Sequence, residues 1–264
     1  MRRLAAALLL TSALCGASTR VLVTVVEQKT GKPVTDLKAA DFTLFDDKTP
    51  RRVEAAEFTG NSVLDIMLLL DTSLAGGAVQ PVAENIVAEL QPKEQMAVVA
   101  FHSSADLIQD FTSSRELILR AIAGVKYGNE PRVLDALYAA IDGGFRSSNF
   151  RRVILLLTAG LEGSSRVGER TVIRLARRNG VSIYPVYMAG VEKSLFENLA
   201  RQSGGALFSL RDLKRANQSP GPRIFEVARG HYVLTVQGNL SLGERVRAEI
   251  KRPDRVFVSA LPLD

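Results

Sequence analysis

Few residues in this chain have chemistry to offer, and they gather at one point. Asp71, Thr72 and Ser73 close the apolar run Leu64-Asp65-Ile66-Met67-Leu68-Leu69-Leu70. A carboxylate and two hydroxyls within three residues are hard oxygen donors, the kind that Mg²⁺ or Mn²⁺ takes. An Asp at a strand end is also a place for a phosphoryl-accepting nucleophile, but that chemistry wants a second acid two residues on, and the position is Ser73. The two histidines, His102 and His231, stand far apart with no partner at zinc spacing, so neither a zinc centre nor a His-based triad is supported. Gly76-Gly77 lacks the Gly-x-Gly-x-x-Gly spacing of a dinucleotide loop. These residues point to a cation site or a binding surface. No catalytic residue is assigned, and the chain is read as a non-enzyme.

The elements that must position Asp71 follow from periodicity. Leu64–Asp71 is too short to span a membrane, which takes about 20 residues. It reads as a strand buried on both faces of a parallel sheet, with Asp71 at the carboxyl end where such sheets bind ligands. Apolar strands are expected at Met96–Phe101, Val153–Leu157, Val181–Tyr187 and Ala206–Ser209, with an edge strand at Leu107–Phe111. Helices are expected at Ala78–Leu90, from the Ser113-Ser114-Arg115-Glu116 cap to Val125, and at Val133–Ile141, Gly168–Arg178, Ser194–Gln202 and Arg223–Arg229. This alternation predicts an α/β fold with a doubly wound, mostly parallel sheet. Outside it the period is two. Strands are expected at Arg20–Glu27, Phe42–Phe45, Arg51–Phe58, Tyr232–Gln237, Arg245–Lys251 and Val256–Ala260, with a helical turn at Leu37–Phe42. Unpaired, these strands would leave open edges, so the two chain ends should combine into a small β subdomain. The expected divisions are 18–60, 61–230 and 231–264.

An apolar strand closed by Asp71-Thr72-Ser73 resembles the first loop of a von Willebrand factor type A domain, which is Rossmann-like. Such domains hold a divalent cation in a metal-ion-dependent adhesion site through Asp-x-Ser-x-Ser, a Thr from a second loop and an Asp from a third. Asp71 and Ser73 match. Ala75 stands at the second serine position. Asn129-Glu130-Pro131-Arg132-Val133-Leu134-Asp135-Ala136-Leu137 puts Pro131 at the Thr position, and Leu157-Thr158-Ala159-Gly160 puts Ala159 at the last Asp. The resemblance therefore implies a retained fold with a degenerate metal site. No cofactor is expected, and Mg or Mn would bind weakly through Asp71 and Ser73. Arg132 has two readings: a cation substitute paired with Asp71, or an ordinary solvated side chain. Glu162 is the nearest alternative acid and is expected to face solvent. Val23-Thr24-Val25-Val26, Gly31-Lys32-Pro33-Val34-Thr35-Asp36-Leu37 and Asp41-Phe42-Thr43-Leu44-Phe45-Asp46-Asp47 resemble the leader of the bacterial VWFA-related proteins of Acidobacterial type.

The 264 residues carry 34 Lys and Arg against 28 Asp and Glu, a net charge of +6. Met1-Arg2-Arg3 followed by Leu4–Leu14 and small residues reads as a secretory signal ending at Ala17, whose removal leaves +4. It would also remove Cys15, the sole cysteine. Lipidation at Cys15 is the alternative, and the only route to a membrane considered for the mature chain. The remaining charge is spread along the sequence, without the aromatic-rich basic segment of a nucleic-acid binder. The expectation is an exported protein, periplasmic or extracellular. It would bind a protein partner through its loops, largely without metal, with no nucleic acid and no small-molecule substrate. The alternatives are a scaffold associating through the β subdomain and a metal-dependent adhesion module with a non-standard site.

Overall fold

The computed structural model describes residues 18–145, 150–238, 246–252 and 255–263. The signal segment with Cys15, and Arg245 at the start of one expected strand, lie outside the described residues.

The strand that carries Asp71, β5 (Leu64–Asp71), is buried at every position. Its even-numbered residues Leu64, Ile66, Leu68 and Leu70 enter one apolar core, and Met67 and Leu69 enter another. That two-faced burial explains why the sequence shows a continuous apolar run rather than alternation. Beside β5 lie β6 (Gln95–Phe101) and, on the other flank, β8 (Arg151–Thr158), both parallel to it. The sheet continues through β9 (Val181–Tyr187) to β10 (Phe208–Ser209) on one side. On the other side it ends in β7 (Ala105–Thr112), which runs antiparallel to β6. The order β10-β9-β8-β5-β6-β7 reverses its direction of growth at β5, so a topological switch point falls at Asp71.

Helices cover both faces. The first core receives α1 (Gln80–Val87), α2 (Arg115–Ala123) and α7 (Pro220–Arg229). The second receives α3 (Val133–Gly144), α4 (Glu169–Arg178) and α5 (Lys193–Gln202). Ser114 caps α2 as its position suggested, accepting from the Leu117 N–H at 3.4 Å. Two expectations needed adjustment. The stretch expected as one helix over Ala78–Leu90 begins as a tighter 3-10 turn, Gly76–Val79, and α1 proper is shorter. A short helix, α6 (Leu210–Arg215), follows β10 where none was expected; Ser209 caps it by accepting from the Asp212 N–H at 3.2 Å.

The two chain ends build a second, all-β unit. A four-stranded antiparallel sheet runs β13 (Val256–Leu263), β1 (Ser18–Glu27), β11 (His231–Gln237), β4 (Val53–Thr59). A three-stranded sheet runs β12 (Val246–Ile250), β2 (Phe42–Asp46), β3 (Thr49–Arg51). Alternate residues of both sheets share one core, including Val21, Val23, Leu44, Leu234 and Ala248. The run Arg51–Phe58 is not one strand. It breaks at Arg52, so that β3 closes a hairpin with β2 while β4 crosses to pair with β11. The helical turn expected at Leu37–Phe42 contracts to Ala39–Asp41, where Asp41 accepts from the Lys38 N–H at 2.7 Å.

Three contacts fasten this unit to the α/β body. Val26 and Phe257 enter the body's first core, and the Arg201 guanidinium lies 4.3 Å from the Phe257 ring centre. The Gly204-Gly205 turn after α5 accepts hydrogen bonds from Thr24 (2.8 Å) and Ser259 (2.5 Å). Gly204 has a φ of +73°, and a Cβ there would stand 2.6 Å from the Leu261 Cβ, so this turn both ends a helix and admits a neighbouring strand. Near the α7–β11 junction, Arg229 makes a two-pronged pair with the fully buried Glu94, at 2.9 and 2.7 Å, and also donates to the Glu89 carbonyl. Beside it, Arg151 donates to His231 Nδ1 at 3.1 Å and to the Tyr184 hydroxyl at 2.7 Å. His231 is therefore the neutral acceptor. Burial, with Arg151 adding to it, pushes its pKa down to about 3.

Two stability predictions follow from this junction. Breaking the buried ion pair by Glu94→Gln should cost about 3–5 kcal/mol in urea denaturation, because Arg229 would keep its charge without its partner. His231 takes a proton near its ordinary pKa of 6.5 when unfolded but only near 3 when folded. Its neutral form thus contributes stability above pH 6.5 that is lost as pH falls toward 3, with a slope approaching about 1.4 kcal/mol per pH unit. Denaturation between pH 7 and 5 should show that slope in the wild type and a flatter one in His231→Gln. Equal slopes would contradict the assignment.

Candidate binding face at the carboxyl end of the sheet

Asp71 is fully buried, and both of its oxygens are engaged by the chain itself. Oδ2 accepts from the Thr158 hydroxyl at 2.9 Å and from the Ala159 N–H at 3.0 Å, which ties β5 to the loop after β8. Oδ1 accepts from the Ser73 N–H at 2.9 Å, which closes a turn over the strand end. Thr158 Oγ1 in turn accepts from the Gly160 N–H at 3.1 Å. Gly76 leans on this carboxylate. A Cβ there would stand 2.0 Å from the Asp71 carbonyl oxygen and 2.9 Å from Oδ1, so the close approach admits only glycine.

The other loops are tied in similar fashion. The Gly128 N–H donates to the Thr72 carbonyl at 2.8 Å, and Thr72 Oγ1 donates to the Phe101 carbonyl at 3.0 Å. The Arg132 N–H donates to the His102 carbonyl, and the Gly163 N–H donates to the Pro131 carbonyl at 2.7 Å. Glu162 does not face solvent as expected. Its Oε2 accepts from the N–H groups of Val133 (2.8 Å) and Leu134 (3.3 Å) and so caps α3, to which Arg132 contributes no side-chain cap. Burial pushes the Glu162 carboxyl above its ordinary pKa, while the hydrogen bonds from Ser165 and the helix N–H groups pull the other way. A carboxylate at a helix start also meets the positive end of the helix dipole.

The structure thus brings Asp71, Ser73, Thr158 and Ala159 together and sets Pro131, Arg132 and Glu162 on the adjoining loops. It does not join Arg132 to Asp71. Asp71 takes its hydrogen bonds from neutral donors, Arg132 makes no ion pair among the described residues, and the Arg132 Nε is buried without a partner. Ser73 is buried with its Oγ unpartnered. His102 is half-buried at the rim, with its ring against Gly128 and its Nδ1 2.9 Å from the Ser103 hydroxyl.

Among the exposed residues of the loops are several large apolar side chains. Leu74, three residues after Asp71, is 80% exposed. Leu161 follows β8, Met188 and Val191 follow β9, and Tyr127 precedes α3; all four are exposed large apolar side chains. Sequence periodicity marked none of them, because an isolated apolar residue in a loop has no period. The capping role of Glu162 was equally hidden, although an acid just beyond an apolar strand and opposite an uncapped helix start is a usable signal.

An open sheet with a polar switch point and loops tied across it defines a class of α/β binding domain. The family model described as von Willebrand factor type A domain matches residues 65–220, and the chain belongs to that family. Among solved structures, proximal thread matrix protein 1 from the mussel byssus, with a zinc-occupied metal-ion-dependent adhesion site, superposes with a TM-score of 0.55 at 20% identity. That match covers 74% of this chain and 50% of the mussel protein, so the chain spans about half the length of that relative. BatB from Bacteroides thetaiotaomicron gives a TM-score of 0.49 at 14% identity, covering 63% of this chain and 98% of that one. No curated protein sequence matches the chain.

Asp71→Ala should leave the Thr158 hydroxyl and the N–H groups of Ala159 and Ser73 without their acceptor. Thermal and urea unfolding should show a loss of about 3 kcal/mol, the same in EDTA and in MgCl₂. A loss that appears only in MgCl₂ would instead make the carboxylate a metal ligand.

Proposed function

We propose that this von Willebrand factor type A domain is an exported, non-enzymatic protein-binding module whose loop face engages its partner without a metal ion. The carrying observation is the state of Asp71, buried and bonded to three donors of its own chain. A carboxylate has about four lone-pair sites, so three such bonds leave little for a cation. Ala75, Pro131 and Ala159 supply no side-chain oxygen at three positions where the family's adhesion site has one. Mg²⁺ requires near-octahedral oxygen coordination, which Asp71 and Ser73 do not provide. The residues present do not fit a divalent cation.

The same burial argues against chemistry at Asp71, since a nucleophile must be reached by its substrate. In place of an exposed cation for a partner's carboxylate, the loops present Leu74 and Leu161, which suit an apolar contact. Export rests on the amino-terminal reading of the sequence. Among the described residues, no helix is long and apolar enough to cross a membrane.

Calorimetric titration of EDTA-treated protein with Mg²⁺ and Mn²⁺ tests the reading. The expected result is no binding heat and no rise in melting temperature. One-site binding that Asp71→Ala abolishes would overturn metal independence. A photoreactive residue placed at Leu74 should cross-link to the partner as efficiently in EDTA as in MgCl₂.

A further inference from the structure

Beside the loop face, a groove of about 810 Å³ opens between α1, the end of β9, α6 and the start of α7. Its floor is apolar. Val82 comes from α1, Met188 follows β9, Leu210 begins α6 and Pro220 begins α7. Val82 and Leu210 also pack on the first core, so the floor is continuous with the body of the domain. Arg211 and Lys214 of α6 line the same groove, and among the described residues no carboxylate does.

The chain fixes the walls. Asn217, at a φ of +50°, turns the chain from α6 toward α7. Asn85 Oδ1 accepts from the Ser219 hydroxyl at 2.9 Å and from the Gly221 N–H at 2.7 Å, which pins the start of α7 to α1. A Cβ at Gly221 would stand 2.4 Å from the Asn85 carbonyl oxygen, so this approach needs glycine. The two cations, by contrast, have no partner in the fold. Both are exposed, and neither makes an ion pair among the described residues. Their neighbour Asp212 lies 3.8 Å from Arg215 and lines a separate cleft beside the turn after β1. Lys214 suits the negative end of the α6 dipole, but Arg211 sits in the first turn, at the positive end.

We propose that this groove docks an acidic amphipathic segment of the protein partner, with aliphatic side chains on the floor and carboxylates on Arg211 and Lys214. The inference rests on the reading of the domain as a protein-binding module and adds a second contact beside the loop face. An apolar strip with charge of one sign along it is the complement of a helix that carries apolar residues on one face and acids next to them. Met188 suits such a floor, because its unbranched side chain adapts to the shape laid on it. Other occupants fit less well. Small-ligand sites bury most of their ligand, whereas Met188 is 37% exposed and would leave a free fatty acid largely in water. Among the described residues no aromatic side chain lines the groove, so a nucleic-acid base has nothing to stack on.

The test uses the full chain in EDTA and a fluorescein-labelled peptide with Leu on one helical face and Glu on the other. A peptide with Lys in place of Glu is the comparison. Fluorescence anisotropy at low salt should show binding of the Leu/Glu peptide alone, weakening as NaCl rises. Arg211→Ala/Lys214→Ala should weaken it roughly tenfold, through the loss of charge-assisted contacts. Met188→Asp, which sets an acid at an exposed position of the floor, should weaken it at least as much. Arg170→Ala/Arg178→Ala removes the same charge from exposed sites on α4, on the other face of the sheet, and should weaken it less than about twofold. No binding by the wild type, equal binding of the two peptides, or equal weakening by the two double variants would overturn the proposal. So would a loss in Leu74→Ser with none in Met188→Asp, which would put the peptide on the loop face and leave the function proposed above standing. EDTA keeps any cation requirement of the loop face, which bears on that function alone, out of the measurement.

Discussion

The structure depends on one buried carboxylate at the place where the sheet changes direction. Strands β5 and β8 lie side by side, and their chains continue to opposite edges of the sheet. The backbone groups at such a switch point have no further strand to pair with and must be satisfied some other way. Asp71 supplies the acceptors. It draws the Ser73 N–H back over its own strand and holds Thr158 and Ala159 of the neighbouring loop. In a buried setting these charge-assisted bonds are stronger than their neutral counterparts, and leaving the donors unpaired is correspondingly expensive.

A second constraint acts at the opposite side of the body, where the chain leaves α7 for β11. Strand β11 is internal to its sheet, paired with β1 on one side and β4 on the other. The first and last thirds of the chain are therefore inseparable: β1 and β4 need a strand that the chain supplies only after the whole α/β body has been made. The Arg229–Glu94 pair holds the end of α7 to the body, and the Arg151–His231 bond joins β8 to the first residue of β11. Removing the C-terminal strands would not trim an appendage. It would take β11 from the middle of one sheet and uncover the β2 edge of the three-stranded sheet.

How much of this was legible follows from which forces are local. The run Leu64–Leu70, the β8 run and the helical periodicities report burial on known faces, so the doubly wound sheet and the position of Asp71 could be read directly. The pairing of the chain ends was also legible in outline, because strands with one apolar face need a partner. Details that depend on distant neighbours were not. Nothing near Arg52 says that one run must divide between two sheets. The contraction of the first turn before α1 comes from the closeness of Gly76 to Asp71, a contact rather than a propensity. Glu162 was expected to be a solvated acid and instead caps a helix from another loop. Arg132, next to the position of a lost ligand, was a reasonable substitute cation until the geometry gave Asp71 three other partners.

The departures from the family's ligand set then read as parts of one arrangement. A cation in an adhesion site joins three loops through shared coordination. Here the joints are distributed: Asp71 links the first loop to the third, Gly128 to Thr72 links the second to the first, and Glu162 with Gly163 links the third to the second. Pro131 presents a carbonyl to this network in place of a hydroxyl, and Ala159 presents an N–H in place of a carboxylate. A second carboxylate at position 159, so near Asp71, would need a cation to relieve the repulsion between them. With alanine there, that repulsion is absent, and Asp71 is held by hydrogen-bond donors of the chain itself. The loops are thereby joined to one another by bonds of the chain itself, and Leu74 stands outward from them.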